Sequence, residues 1–426
     1  MTGPRATRRG VLAATGATLL AGCSGLDSAS ENDERLNVIE LQRVVPDGPD
    51  EPLVADTLPV DIERPVLASS VERVNQLVES VPTPFGSESL PNGHIRHHLT
   101  EAAHTATEKL AEARTAPSRL VALNQLRWAR SEARYAATGW AFVEDGLTVD
   151  QLRSDHRTVV TEAASARDDL GYLGTDPVTA ALVYSQVEEF LGSVLDTDRT
   201  PGNHESSQLL TVAEWGDHVE TAQVQLDDAR YLSDRFQSSL SAETTAVDRV
   251  LSEASDTLFD ELQRRQVQLP PEPDDDNRVR WRLHDRIHHD ADSAAERVQD
   301  APGPASRLLA AMRGLTGLLA ADRFGQLTDD GEEFRAETVA EVRAVRMAAA
   351  EAITTALDDA PRADLTRPIL ADAARSVAYA DDRLSRFNSN VRPSRLDDPI
   401  AQYWAATLRA QSVPTACRET LSALGR

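Results

Sequence analysis

Lysine is almost missing from this chain: Lys109 is the single lysine among 44 basic residues. A Schiff-base enzyme needs a lysine in a reactive setting, and a P-loop needs one closing a glycine-rich turn. Lys109 sits on an amphipathic helical pattern with neither context, so both classes are set aside. Cysteine is nearly as scarce, with Cys23 and Cys417 alone, which leaves no paired C-x-x-C for zinc or redox chemistry. No G-x-S-x-G elbow, H-E-x-x-H helix or calcium-binding loop occurs, and the acidic run Asp274-Asp275-Asp276 lacks the glycine a calcium loop turns on. Aromatic residues make up 4% of the chain and strand formers are few, so the core has to be leucine, valine and alanine on closely packed helices. The apolar run at 11–21 is about half of the roughly twenty residues needed to cross a bilayer, and no later run is longer.

Acid is abundant instead. Asp and Glu number 69, for a formal net charge of −25, and a surface of that sign repels nucleic acid. Carboxylates hold water and cations against concentrated salt, whereas long lysine stems expose apolar surface. This balance, with arginine in place of lysine, resembles salt-adapted haloarchaeal proteins. High salt in turn screens the self-repulsion that such a charge creates.

The amino-terminal stretch carries an address. Thr7-Arg8-Arg9-Gly10-Val11-Leu12 places Arg8 and Arg9 ahead of the apolar run, which ends in Leu20-Ala21-Gly22-Cys23. The pattern resembles a twin-arginine export signal closed by a lipobox, and implies cleavage before Cys23 and lipid attachment to its thiol. The polar tract 24–34 then reads as a tether. These readings divide the chain into a signal peptide (1–22), an anchor, tether and extended linker (23–65), and two helical repeats (66–237 and 242–424). They also place the chain on the extracytoplasmic face of the cell membrane. With Cys23 lipidated, Cys417 has no disulfide partner and stability rests on packing.

Residues 36–65 hold short β-like runs, Val38-Ile39-Glu40-Leu41 and Leu53-Val54, broken by prolines, and read as extended linker or a small ribbon. From Val66 the spacing predicts an all-α, multi-helix bundle or solenoid-like array, with helices near 66–81, 94–115, 118–144, 148–172, 176–196, 206–237, 242–266, 279–300, 304–323, 332–359, 366–386 and 398–424. The last is expected to break at Pro414. Thr148-Val149-Asp150-Gln151 is a capping box, and Asp176-Pro177 an N-cap with proline following.

The twelve helices read as six used twice. His94-Ile95-Arg96-His97-His98 matches His284-Asp285-Arg286-Ile287-His288; Ser118-Arg119-Leu120 matches Ser306-Arg307-Leu308; Asp145-Gly146 matches Asp330-Gly331; Trp215 matches Trp404. Two copies in one chain are expected to pack about a pseudo-two-fold axis. The five tryptophans, Trp128, Trp140 and Trp281 included, are expected in core packing. Duplicated exported helical bundles occur in the imelysin-like family, to which this architecture is similar. That family's G-x-H-x-x-E motif is not matched, since Gly93-His94 is followed by His97 where glutamate should stand, so its function is not carried over.

Histidine is the remaining chemistry. His94 and His98 share a helix face with Glu101 just beyond, and His284 and His288 repeat the spacing with Asp292 beyond. Each trio offers two imidazoles and a carboxylate to a divalent metal or haem, and a two-fold seam would bring four imidazoles together. Glu101-Ala102-Ala103-His104 also has the E-x-x-H spacing of di-iron bundles. Three function classes follow. The first is a lipid-anchored helical scaffold or binding protein for a surface protein or small ligand. The second is a metal- or haem-binding protein using the trios. The third is a hydrolase whose site is assembled only in the fold.

Overall fold

A computed structural model describes residues 35–46, 53–196, 201, 207–269 and 277–426. Arg8, Arg9, Cys23 and the acidic run at 274–276 lie outside the described residues.

Caps set most of the helix starts. Asn92 opens α3 (Gly93–Arg114), its side chain accepting from the His94 and Ile95 amides. Asn277 opens α9 (Arg278–Asp292) in the same way, through Val279 and Arg280. Thr148 and Gln151 close a reciprocal capping box on α5 (Val149–Asp168), and Thr338 and Glu341 close another on α12 (Val339–Asp358). The ends are paired too. Gly146, after α4 (Arg119–Glu144), and Gly331, after α11 (Pro304–Asp329), have φ of 68° and 84°, a left-handed turn that glycine adopts without strain.

The remaining helices are α2 (Arg64–Glu79), α6 (Pro177–Leu195) and α7 (Gln208–Ser239) in the first unit. The second unit adds α8 (Asp248–Gln266), α10 (Ala294–Gln299), α13 (Ala363–Ser385) and α14 (Asp397–Ala423). Packing repeats with the sequence. In unit 1, α4 lies on α2, α3 and α7, and α7 also lies on α5 and α6. In unit 2, α11 lies on α8, on α9 with α10, and on α14, and α14 also lies on α12 and α13. Two tandem six-helix units, the second with its 279–300 helix broken at Ser293, are the architecture. A two-residue ladder, β1 (Leu173–Gly174) against β2 (Thr245–Ala246), ties the α5–α6 turn to the connection between units.

Four expectations are corrected. The run Val38-Ile39-Glu40-Leu41 is not extended: Asn37 caps a short helix, α1 (Val38–Gln42), whose Leu41 is buried. This segment is no free linker, because Leu36 bridges Val391 and the Gln42 amide donates to the Ser385 and Phe387 carbonyls of unit 2. Further on, Ile62 is buried against unit 1. The described part of 35–65 is therefore a strap across both units. Secondly, α14 runs unbroken through Pro414. Its flanks Val413 and Ala416 are buried against neighbouring helices, and that packing outweighs the lost backbone hydrogen bond. Thirdly, Trp128 and Trp281 are about half exposed instead of buried; Lys109 Nζ lies 4.5 Å over the Trp128 ring and the indole donates to Glu132.

The fourth correction concerns symmetry. The units meet where α6 packs on α11. A two-fold axis would require α13 to pack on α4 equivalently, and among the described residues it does not. The α6–α11 contact is therefore not repeated by a two-fold, although the equivalent helices α6 and α13 do touch, with Arg362 paired to Asp176 at 2.8 Å. Helix α6 is consequently buried nearly all round, and its Val178 to Tyr184 stretch joins the core of unit 2. At the centre of the seam the Glu188 carboxylate reaches the N-terminus of α11. It accepts from the Ala305 amide (3.1 Å), the Ser306 amide (2.6 Å), the Ser306 hydroxyl (2.5 Å) and the Tyr172 hydroxyl (2.7 Å). Gly303 is required beside it, because a Cβ there would overlap that carboxyl.

A second buried carboxylate makes stability depend on pH. Asp228 on α7 is 3% exposed, and one of its oxygens has no hydrogen-bond partner among the described residues. Burial pushes its pKa up to about 7, against the opposing pull of Arg127 and Arg130. Between the ordinary carboxylate range and about 7 the folded state holds a proton that the unfolded chain has released. Stability therefore falls as pH rises across that window, by about 4 kcal/mol for the full shift. Asp228→Asn is expected to flatten this slope and to melt above the parent protein at pH 8. Thermal melts at pH 5 and pH 8 check it, and equal slopes in the two proteins would count against it.

Candidate functional site

The structure spreads the histidine trios apart. His94 and His98 meet edge to face at 4.4 Å, while Glu101 turns to His97 at 3.4 Å, both of that pair being well exposed. His104 pairs with Glu108 at 3.5 Å. His284 and His288 stack at 3.7 Å between centroids, and Asp292 stands exposed at the end of α9. Imidazoles one turn apart thus contact each other, edge to face in α3 and stacked in α9. Helices α3 and α9 do not pack together and the four imidazoles do not meet. Among the described residues no three His, Cys, Asp or Glu side chains gather in a way that could hold a metal ion.

Chemistry collects instead on both sides of α7. On the α3 and α4 side lies a cleft of about 570 Å³ lined by His98, Glu101, Glu132, Tyr135, Glu214, Asp217 and His218. Burial raises the Glu132 and Asp217 carboxyls, and each is raised further by neighbouring carboxylates. The Tyr135 phenol is pushed up to about 12 by burial and by Glu214, Asp217 and Glu132. Asp217 is held by the Ser131 hydroxyl. This is an electronegative cleft whose acids resist ionising together.

On the α5 side lies a cleft of opposite character, about 690 Å³, lined by Asp150, Arg153, His156, Arg157, Val160, Thr161 and Trp215. His156 is 8% exposed and makes no hydrogen bond among the described residues. Trp215 is 5% exposed, and its indole N–H is buried without a partner. The His156 ring lies 4.5 Å from His218 and 6.0 Å from Trp215, and the Arg153 guanidinium lies 5.2 Å over the indole. Burial lowers the His156 pKa; His218 is driven down to about 4 by burial and then by the neighbouring His156. Both imidazoles are neutral near pH 7. Arg153 reaches Asp150 only loosely, at 3.6 Å, and Arg157 has no carboxylate partner among the described residues.

The duplication supplies a comparison inside the molecule. At the same step beyond the capping threonine, α5 has His156 and α12 has Arg346. Arg346 is closed off: its Nε and Nη2 grip Asp381 at 2.9 and 2.7 Å, and the Tyr403 hydroxyl donates to the same carboxylate at 2.5 Å. Trp404 meets Phe334 at 5.1 Å, carried on the longer α11–α12 loop. The α4–α5 loop brings no aromatic side chain to Trp215, whose ring neighbours are the two histidines. Arg346 is thus neutralised inside unit 2, whereas the Trp404 indole N–H, like that of Trp215, is buried without a partner among the described residues. Sequence reasoning missed His156, Arg153 and Arg157. The available signal was the alignment of the two capping boxes, which sets a histidine against an arginine.

These features define an all-α protein of two tandem, duplicated six-helix units with an open cleft in the first. Residues 65–243 match a family described as "Domain of unknown function (DUF8262)", and residues 248–422 match one described as "Domain of unknown function (DUF8264)". No curated protein and no solved structure matches the chain.

Proposed function

We propose that this chain is a lipid-anchored, extracytoplasmic binding protein in which the helical pair presents a small-ligand site outside the membrane. The observation that carries the binding half is the α5–α7 cleft, where the Arg153 and Arg157 side chains come together with His156 and the Trp215 indole. Its volume falls in the range of small-molecule sites, roughly 300–1,000 Å³. Anchoring rests on Arg8, Arg9 and Cys23. Among the described residues no helix is long and apolar enough to cross a membrane. The described part of 35–65 fits a tethered chain, because it fixes the amino-terminal end of the described structure to both units.

Cys23→Ser is expected to release the protein into the medium or leave unprocessed precursor, and replacing Arg8 and Arg9 by lysine to block export. Fractionation of cells and medium checks both. A Cys23→Ser protein that stays membrane-bound and processed as before would defeat the anchoring half.

A further inference from the structure

The cleft's chemistry goes beyond binding in general. Its charged and ring lining is the Arg153 and Arg157 guanidiniums and the His156 ring, with Asp150 the one carboxylate, while the Thr161 hydroxyl donates to the Arg157 carbonyl at 2.8 Å. Arg157 faces the cleft without a carboxylate partner among the described residues, its Nε donating to the Arg153 carbonyl at 3.2 Å. The apolar part is Val160 and the Trp215 indole. In unit 2 the cation at His156's place is neutralised by Asp381, a carboxylate of the chain itself.

We propose that the α5–α7 cleft of unit 1 binds a small organic oxyanion, a carboxylate or phosphate ester with an apolar body. The oxyanion takes for Arg153, Arg157 and His156 the part that Asp381 takes for Arg346, and the apolar body lies along Val160 and Trp215. Charge-assisted hydrogen bonds from two guanidiniums provide most of the selectivity. The neutral His156 ring adds one donor without needing a second charge to be desolvated. Bound oxyanion also makes protonation of His156 easier, so its pKa rises on binding. The groups facing that ring are Asp150, Arg153 and Arg157 on its own helix and Trp215 and His218 on α7.

This inference rests on the binding-protein reading, and its test is independent of the anchor. The full chain carrying Cys23→Ser is titrated in molar potassium chloride with benzoate, phenyl phosphate and, as neutral counterpart, benzyl alcohol. Heat of binding and the NMR signal of the His156 ring are followed. At least one of the two anions should bind saturably and move the His156 titration to higher pH, whereas benzyl alcohol should do neither. The tighter of the two anions identifies carboxylate or phosphate. Arg153→Gln with Arg157→Gln, both exposed positions, should weaken the anion by about tenfold or more while leaving the melting temperature unchanged. The proposal is overturned if neither anion surpasses benzyl alcohol, or if the double variant binds as well as the parent. Either result leaves the Cys23 outcome untouched.

Discussion

Glu188→Ala is expected to lower the stability of the folded chain by about 3 kcal/mol or more and to uncouple the two units. The carboxylate is 4% exposed and collects four donors, two of them first-turn amides of α11. Helix starts carry amides with no intrahelical acceptor and a positive dipole end, so an anion there satisfies both needs at once. Here the anion comes from the other unit, which turns a cap into a fastener. Truncation leaves the Ala305 and Ser306 amides and the Tyr172 hydroxyl stranded in a buried seam. Glu188→Gln should recover only part of the loss, because its amide nitrogen presents hydrogens to groups that are themselves donors. Gly303 provides an internal check. Gly303→Ala alone drives a methyl into the carboxyl and should destabilise, yet in the Glu188→Ala background that obstacle is gone and the second change should cost little. Guanidinium melts of the four proteins measure the coupling. Purely additive losses, or a Glu188→Ala loss under about 1 kcal/mol, would contradict the fastener.

Diluting the salt is expected to have the other large effect. With a formal charge of −25, the chain's carboxylates repel one another over distances that grow as the Debye length rises from ~3 Å at 1 M to ~10 Å at 0.1 M. Helicity and melting temperature should fall together, the latter by roughly 6–12 °C for a loss of roughly 3 kcal/mol from one unit. Unit 1 should yield first, because Glu101, Glu132, Glu214 and Asp217 line one cleft there. Circular dichroism against potassium chloride checks this, and an unchanged melt down to low salt would sink it.

The helices were legible wherever a local signal set them. Thr148 with Gln151, Asp176 with Pro177, and the Asp-Gly steps after α4 and α11 are short-range chemistry that a sequence displays directly. The duplication was legible because rare residues such as Trp215 and Trp404 kept their order. What could not be read depended on partners distant in sequence. Val38-Ile39-Glu40-Leu41 has strand-like composition, but Asn37 caps it and residues near 385–391 hold it. Pro414 remains helical because buried packing outweighs its local cost. The histidine trios show the limit most clearly. A four-residue step puts His94 and His98 on one face, but does not show that the rings meet edge to face or that only His98, with Glu101, lines the acidic cleft. His156 carries no local motif, and is informative only because Arg346 holds the equivalent place in unit 2.

The claim on which the proposed function turns is that the cleft is displayed outside the cell on a lipid-tethered chain. The mass of the amino-terminal peptide of the membrane-extracted protein tests it most directly. The account predicts a peptide beginning at a lipid-modified Cys23. A peptide that still carries Arg8 and Arg9, with an unmodified Cys23, would contradict it.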